Sequence, residues 1–356
     1  MPATDWADVE QIEAAARARL PREVYDYFAG GAGEEATIAA NLASWRRRLL
    51  VPRVLRGVRD VDTGVDVLGC RMAMPVAVAP MGQQGMADPD GECATAAAAA
   101  ATDTVFAVST YSTSALEEVA AAGGSQWFQA YVLRDRGLSR ELLQRAAAAG
   151  YRAVLLTVDA PVAGDRRRDR RNGYRLPTDP ALRLANFPLS GQLSAGYSIE
   201  LENTLTPDLI TWVADVSGLP VAVKGVLRGD DALRCVQAGA RGVVVSNHGG
   251  RQLDGAVATA DVLAEVAGAL AGSGADVLVD GGVRTGADVL RALALGAHAV
   301  LVGRPVLWAL AVGGEPGVRG LLTELREDLL RTMALCGVSS VAEIGPELLR
   351  ETDPRW

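Results

Sequence analysis

The stretch Val243-Val244-Val245-Ser246-Asn247-His248-Gly249-Gly250-Arg251-Gln252-Leu253-Asp254-Gly255 is the one from which the fold of this 356-residue chain is read. Its β-branched apolar run stops at a serine, and asparagine, histidine and two glycines take over. Such a run, closed abruptly by turn residues, is a strand buried on both faces, as in a parallel sheet. The turn presents His248 and, three residues on, Arg251. A neutral imidazole takes up a proton near neutral pH, and a guanidinium clamps a carboxylate through two hydrogen bonds without losing its charge. Base and anion clamp at one strand tip suit a small organic acid.

Seven similar runs flank this one, each followed by a plausible helix. They begin at Pro75, Val105, Trp127 and Ala153 in the first half, then at Val221, Asp276 and Ala299. Alternation of this kind means parallel strands joined by crossover helices. Eight units without the glycine fingerprint of an open dinucleotide-binding sheet predict an α/β fold, a closed (β/α)8 TIM barrel spanning residues 1–356 as one domain. Polar residues collect at the strand C-terminal ends, where barrel enzymes build their sites. These are Pro80-Met81-Gly82 after Ala79, Ser109, Gln129 with Tyr131, Thr157 with Asp159, Lys224, Ser246 with His248, Asp280, and Gly303-Arg304. The only other histidine, His298, enters the eighth strand from the opposite end and reads as structural.

Outside the eight units, residues 1–73 predict helices over Asp5–Leu20 and from Pro21 through Phe28, then a small hairpin within Val54–Met72 lying outside the main core. Ala94–Ala101 reads as a barrel helix with Asp90 and Glu92 at its N-terminus, and Val318–Ala334 as a closing helix. Residues 160–207, between strands four and five, are too many for one loop and one helix and predict a lid at the barrel mouth. The lid opens with the arginine-rich run Gly164–Gly173. Most of those arginines read as a solvated, mobile loop. Arg166, nearest the strand end, is reserved for function.

Composition narrows the classes. Hydrophobic residues make up 49%, enough for a large core, and a net charge of −8 argues against a nucleic-acid footprint. No secretory signal and no bilayer-spanning apolar stretch is visible, which predicts a cytoplasmic protein without membrane partners. Cys70, Cys93, Cys235 and Cys336 are scattered without a C-x-x-C pair, so neither disulfides nor a metal site are expected.

Two glycine turns with arginines, Asp280-Gly281-Gly282-Val283-Arg284 and Gly303-Arg304-Pro305, fall on strands seven and eight, where barrels hold phosphate. Lys224 ends a strand inside the mouth and has two readings. It is a Schiff-base lysine, or an ammonium facing a phosphorylated cofactor whose ring gathers negative charge. Ser109, Gln129 and Thr157 could hydrogen-bond the polar edge of that ring, and Asp159 could pair with the imidazolium formed on His248. Tyr25 and Tyr131 belong to a residue type more often found in cores. Tyr131 shares a strand face with Gln129, which points it into the mouth.

The motif Ser246–Asp254 closely resembles the signature of the FMN-dependent α-hydroxy acid oxidase/dehydrogenase family. The resemblance continues through Tyr25-Asp26-Tyr27, Phe128–Tyr131, Leu156–Asp159, Lys224-Gly225-Val226, Asp280-Gly281-Gly282 and Gly303-Arg304-Pro305, and so covers nearly the whole chain. Ala29–Gly33 and Asn247–Gly255 look most like bacterial mandelate and 4-hydroxymandelate oxidases. The resemblance implies FMN across the mouth, its phosphate on Gly303, Arg304 and Arg284. The ribityl chain would meet Asp280 and Lys224, and the ring Ser109, Gln129, Thr157, Lys224 and Ser246. Ala79, Pro80, Met81, Gly82 and Gly282 join the implied cofactor site. It further implies an L-2-hydroxy acid whose carboxylate is held by Arg251, Arg166 and Tyr25, with Tyr131 near its hydroxyl. His248 would remove the hydroxyl proton as hydride passes to the flavin, or the Cα proton in a carbanion route, and Asp159 would steady the imidazolium. O2 or another acceptor would reoxidise the cofactor, and relatives are often homo-tetramers. Gly82 stands where many relatives carry Ala, Tyr111 where glycolate oxidases carry Trp, and Gln83 where hydroxymandelate oxidases tend to carry Tyr. These differences leave acceptor and substrate open. The rival readings are oxidation of an amino or other activated C–H compound, a non-redox flavin isomerase, and a lysine-dependent lyase.

Overall fold

The computed structural model describes residues 8–175, 182, 184–187 and 200–351. Residues 5–7 of the first expected helix and much of the lid therefore lie outside the described residues. Three helices open the chain: α1 (Val9–Arg19), α2 (Arg22–Ala29) and α3 (Ala36–Arg46). After β1 (Arg48–Leu50) comes the hairpin β2 (Val65–Val67) and β3 (Cys70–Met72). The barrel follows as β4 (Val76–Val78), α4 (Gly91–Ala101), β5 (Val105–Ser109), α5 (Leu116–Ala121), β6 (Ser125–Ala130), α6 (Arg136–Ala148) and β7 (Ala153–Thr157). The short helix α7 (Arg167–Asn172) interrupts the rhythm. It resumes with α8 (Asp208–Ser217), β8 (Val221–Val226), α9 (Gly229–Gln237), β9 (Gly242–Val245), α10 (Thr259–Ala269), β10 (Asp276–Val279), α11 (Gly286–Ala294), β11 (Ala299–Val302), α12 (Arg304–Cys336) and β12 (Leu349–Glu351).

Strands β4 to β11 are all parallel and close on themselves, β11 pairing with β4 through Val300 and Val76. The eight expected units are present. β12 pairs antiparallel with β1, tying the C-terminal end of the described chain to its N-terminal segment. α12 is two helices meeting at a kink, where Gly314 takes φ 59°, ψ −146° and Pro316 removes an N–H.

The hairpin departs from expectation. Leu68 and Gly69, both with positive φ, make its two-residue turn, but it does not sit outside the core. Val67, Leu68, Cys70 and Met72 pack against the inward side chains Val105, Trp127, Val244 and Leu278 and plug the N-terminal end of the barrel. Trp127 Nε1 donates to Cys70 Sγ at 3.4 Å, and Leu68 N–H to Asp276 Oδ2 at 2.8 Å. With that end filled by apolar side chains, a ligand has only the C-terminal mouth. His298 is at the plugged end, its Nδ1 accepting from Val277 N–H.

Candidate active site

One cleft opens at the C-terminal ends of the strands. Its floor holds Ser109, Gln129, Thr157 and Lys224, its rim the β4 segment Ala79–Gly82, and one flank Asp280, Gly282, Arg284, Gly303 and Arg304. Tyr131, Arg166, His248 and Arg251 face the same space. Ser246 does not. It lies fully buried one layer down, its Oγ accepting from Lys224 Nζ at 2.8 Å and from His248 N–H at 3.0 Å. Its hydroxyl thus supports the ammonium and the backbone of the turn, and it shares the inward face of β9 with Val244, two residues before it.

Tyr25 stands away from the cleft it was expected to line. On α2 it shares the i, i+3, i+4 face with Phe28 and Ala29, all buried. Its ring stacks on Trp308 at 5.2 Å and its hydroxyl donates to Glu13. Burial first, then the Glu13 carboxylate, raise that phenol to about 12. Tyr27, off that face, turns into the cleft instead, with Phe28 beside it. A helical wheel would have chosen Tyr27.

The turn after β9 is backbone-strained where it matters. His248 has φ 58° without being glycine, and Gly249 and Gly250 follow in the same left-handed region. Asn247 holds the turn by accepting from Gly250 N–H and exchanging two amide hydrogen bonds, 2.8 and 2.9 Å, with Asn41 of α3. Asn41 was not singled out in the sequence, and nothing local marks it.

His248 Nδ1 lies 2.9 Å from Asp159 Oδ1, and its Nε2 lies 3.4 Å from the Tyr131 hydroxyl. Burial pulls the imidazole below its ordinary value, more than Asp159 raises it, so the resting base is neutral. For Asp159 burial works the other way, yet the hydrogen bond from His248 and the charge of Lys224 win and keep it anionic. Asp159 fits because Gly225 leaves room: a Cβ there would stand 2.5 Å from Asp159 Cβ. Burial raises the Tyr131 phenol, which stays protonated.

Gln129 is fixed at both ends of its amide, Oε1 accepting from Thr110 N–H at 3.2 Å and Nε2 donating to Thr157 Oγ1 at 3.0 Å. Lys224 Nζ lies 3.0 Å from Asp280 Oδ2. Burial alone would lower the amine, but Asp280 and Asp159 outweigh it and hold the charged form. An ammonium so held is a poor Schiff-base nucleophile, which removes the lyase reading.

Arg251 and Arg304 share one device. Carbonyls at the end of α2, left without helical partners, accept from them. Arg251 Nη1 donates to Tyr27 O and Gly30 O at 2.8 Å, and Arg304 donates to Phe28 O, Gly30 O and Gly249 O. Burial and the nearby Arg251 and Arg284 push Arg304 down to about 9. Neither Arg284 nor Arg304 has a carboxylate in ion-pair range among the described residues. Such crowding asks for a polyanion, and the glycine turns at 281–282 and 303 open beside it. The buried Asp280 Oδ1 has no hydrogen-bond partner among the described residues, an acceptor suited to a polyol hydroxyl.

Fold and site together define a barrel enzyme that binds a phosphorylated ring cofactor at its mouth. A family model described as FMN-dependent dehydrogenase matches residues 16–351, and the chain belongs to that family. It is similar to an L-lactate oxidase of Nostoc sp., 46% identical over 95% of this chain and 96% of that one. A 4-hydroxymandelate oxidase of Amycolatopsis orientalis is 46% identical over 94% and 96%. A solved structure of mandelate oxidase with (S)-4-hydroxymandelic acid superposes with a TM-score of 0.90 at 45% identity, covering 97% and 98%. The cofactor is FMN, and the residues just described fit it.

Proposed function

We propose that this chain oxidises an L-2-hydroxy acid with an aromatic or otherwise bulky side chain to the 2-oxo acid, passing the electrons from FMN to O2. The observation that carries the reading is the neutral His248, backed by Asp159 at 2.9 Å and facing the same cleft as Arg251 and Arg166. Bound FMN would supply an acceptor for a hydride, that is, for two electrons and one proton.

The chain does the rest. Arg251 and Arg166 bind the substrate carboxylate and Tyr131 donates to the hydroxyl oxygen. His248 Nε2 takes the hydroxyl proton as the Cα–H bond breaks, and Asp159 stabilises the resulting imidazolium. Lys224, Gln129 and Thr157 offer donors to the cofactor's polar edge. Tyr111 stands 5.3 Å from Tyr131 and 6.2 Å from Phe187, and this aromatic wall supports the bulky side chain. The relatives named as lactate and hydroxymandelate oxidases support both the substrate class and oxygen as acceptor.

The purified protein should be yellow, with flavin bands that bleach anaerobically on adding (S)-mandelate and, more weakly, (S)-lactate, and return with air. Bands indifferent to every 2-hydroxy acid would overturn the reading. The chain acts as one FMN-binding unit, and the described residues 160–166 of its insertion lie beside Tyr131 at the mouth. Exposed apolar side chains at Val54, Leu55, Val162 and Leu253 support self-association, and sedimentation should give a tetramer. A cytoplasmic site agrees with four free cysteines, and no helix among the described residues is long and apolar enough to cross a membrane.

A further inference from the structure

The arginine run of the lid is not uniformly solvated. Arg168 turns into the groove between α7 and α2, its Nη1 3.3 Å from Asp26 Oδ1 and its Nη2 2.5 Å from Glu35 Oε2. Its side chain is 28% exposed, against 69% for Arg170. Four residues on along the same helix, Asn172 Nδ2 donates to Asp26 Oδ2 at 2.8 Å, so one face of α7 takes both oxygens of a single carboxylate. Past the helix, Tyr174 stacks on Tyr27 at 4.6 Å, the planes 17° apart. Before it, Gly33 N–H donates to Asp165 O at 2.9 Å. Glu35 also accepts from Gly31 N–H, tying in the glycine loop after α2.

What flanks these contacts gives them a consequence. Arg166 stands at the start of α7, Tyr27 and Phe28 near the end of α2, and all three face the cleft. The carbonyls of Tyr27 and Gly30 hold Arg251. The docking of α7 on α2 therefore sets the distance between the two guanidiniums that frame the carboxylate site. Arg168 itself does not line the cleft. We propose that Arg168, through Asp26 and Glu35, is a positioning residue that fastens α7 to α2 and so places Arg166 opposite Arg251. This rests on the reading of the cleft as a 2-hydroxy acid site. A half-buried guanidinium held by two carboxylates, one of which also accepts from Asn172, resists solvent better than an exposed pair and still weakens in salt.

The test uses the FMN-loaded protein and the variants Arg168→Ala, Arg168→Lys and Asp26→Asn, with the exposed Arg171→Ala as control. Three measurements are made: the rate of tryptic cleavage after Arg170, the Kd of oxalate as a non-reacting carboxylate, and the KM and kcat of the oxidised acid. Arg168→Ala should be cleaved about tenfold faster and raise both oxalate Kd and KM about tenfold, with kcat within about threefold. Arg168→Lys should be intermediate, and combining Arg168→Ala with Asp26→Asn should cost less than the two effects multiplied. Arg171→Ala should match the wild type in KM and oxalate Kd. Faster cleavage of Arg168→Ala with unchanged oxalate Kd and KM would show a docked helix that positions nothing and overturn the proposal. Unchanged cleavage would overturn the docking itself. A wild type that turns over no 2-hydroxy acid would instead overturn the reading of the cleft, and the role given to Arg168 with it.

Discussion

Replacing Asp159 by Asn removes a charge and little else. The amide keeps the size of the carboxyl and still offers an oxygen to His248 Nδ1, now 2.9 Å away. Unit charges 4 Å apart interact by about 4 kcal/mol at an effective dielectric near 20. The side chains of His248 and Asp159 are 18% and 12% exposed, so some solvent screening applies. About 3 kcal/mol of imidazolium stabilisation is then lost, roughly a hundredfold in the rate of cofactor reduction. The pH profile adds a second signature. His248 works as a base only when neutral, and its folded pKa lies below 6.5, so the wild-type rate is flat above neutrality and falls in an acid limb below pH 6.5. Asp159 raises that pKa against the burial that lowers it, so the variant's acid limb must move to lower pH while its plateau drops. Stopped-flow bleaching of the flavin band, run anaerobically from about pH 5 to pH 9 at substrate concentrations well below its Kd, measures both. A plateau within about threefold of wild type, or an acid limb displaced upward, refutes the role assigned to the pair.

Further expectations follow from single contacts. Gly225→Ala adds a Cβ 2.5 Å from Asp159 Cβ at a residue with φ 111°, and chemical denaturation should show a loss of about 2 kcal/mol, with slower cofactor reduction. Asn41→Ala leaves the buried Asn247 amide half-paired, so stability should fall by about 2 kcal/mol; a loss below about 0.5 kcal/mol would mean the turn carrying His248 holds without α3. Arg304→Met removes one cation from the crowded flank, and the Kd of FMN, followed by flavin fluorescence, should rise about a hundredfold. FMN stripped from the protein and restored to a hundred times its Kd should return about 2.7 kcal/mol of stability; an unchanged unfolding midpoint would place the cofactor elsewhere.

The barrel was legible because its signal is local. A strand buried on both faces, such as Val243–Val245, must be apolar along its whole length, and the chain must turn polar where it meets the mouth. The same rule exposed Lys224, His248 and Asp280, since polar residues at strand tips have no structural reason to gather there. The choice of Tyr27 over Tyr25 was within reach as well, through the 3.6-residue period of α2.

What sequence alone determined, then, is the order of elements, the end of the barrel that carries chemistry, and most residue types at the cleft, because periodicity and turn chemistry act over a few neighbours. Tertiary structure decided the rest. The hairpin plugs the far end, Asn41 braces Asn247 across 206 positions, and Arg168 leaves its charge run to join Asp26 from 142 positions away. Each depends on where two distant segments meet in space. A single position carries no mark of its future partner until the barrel has closed and set the distances between its loops.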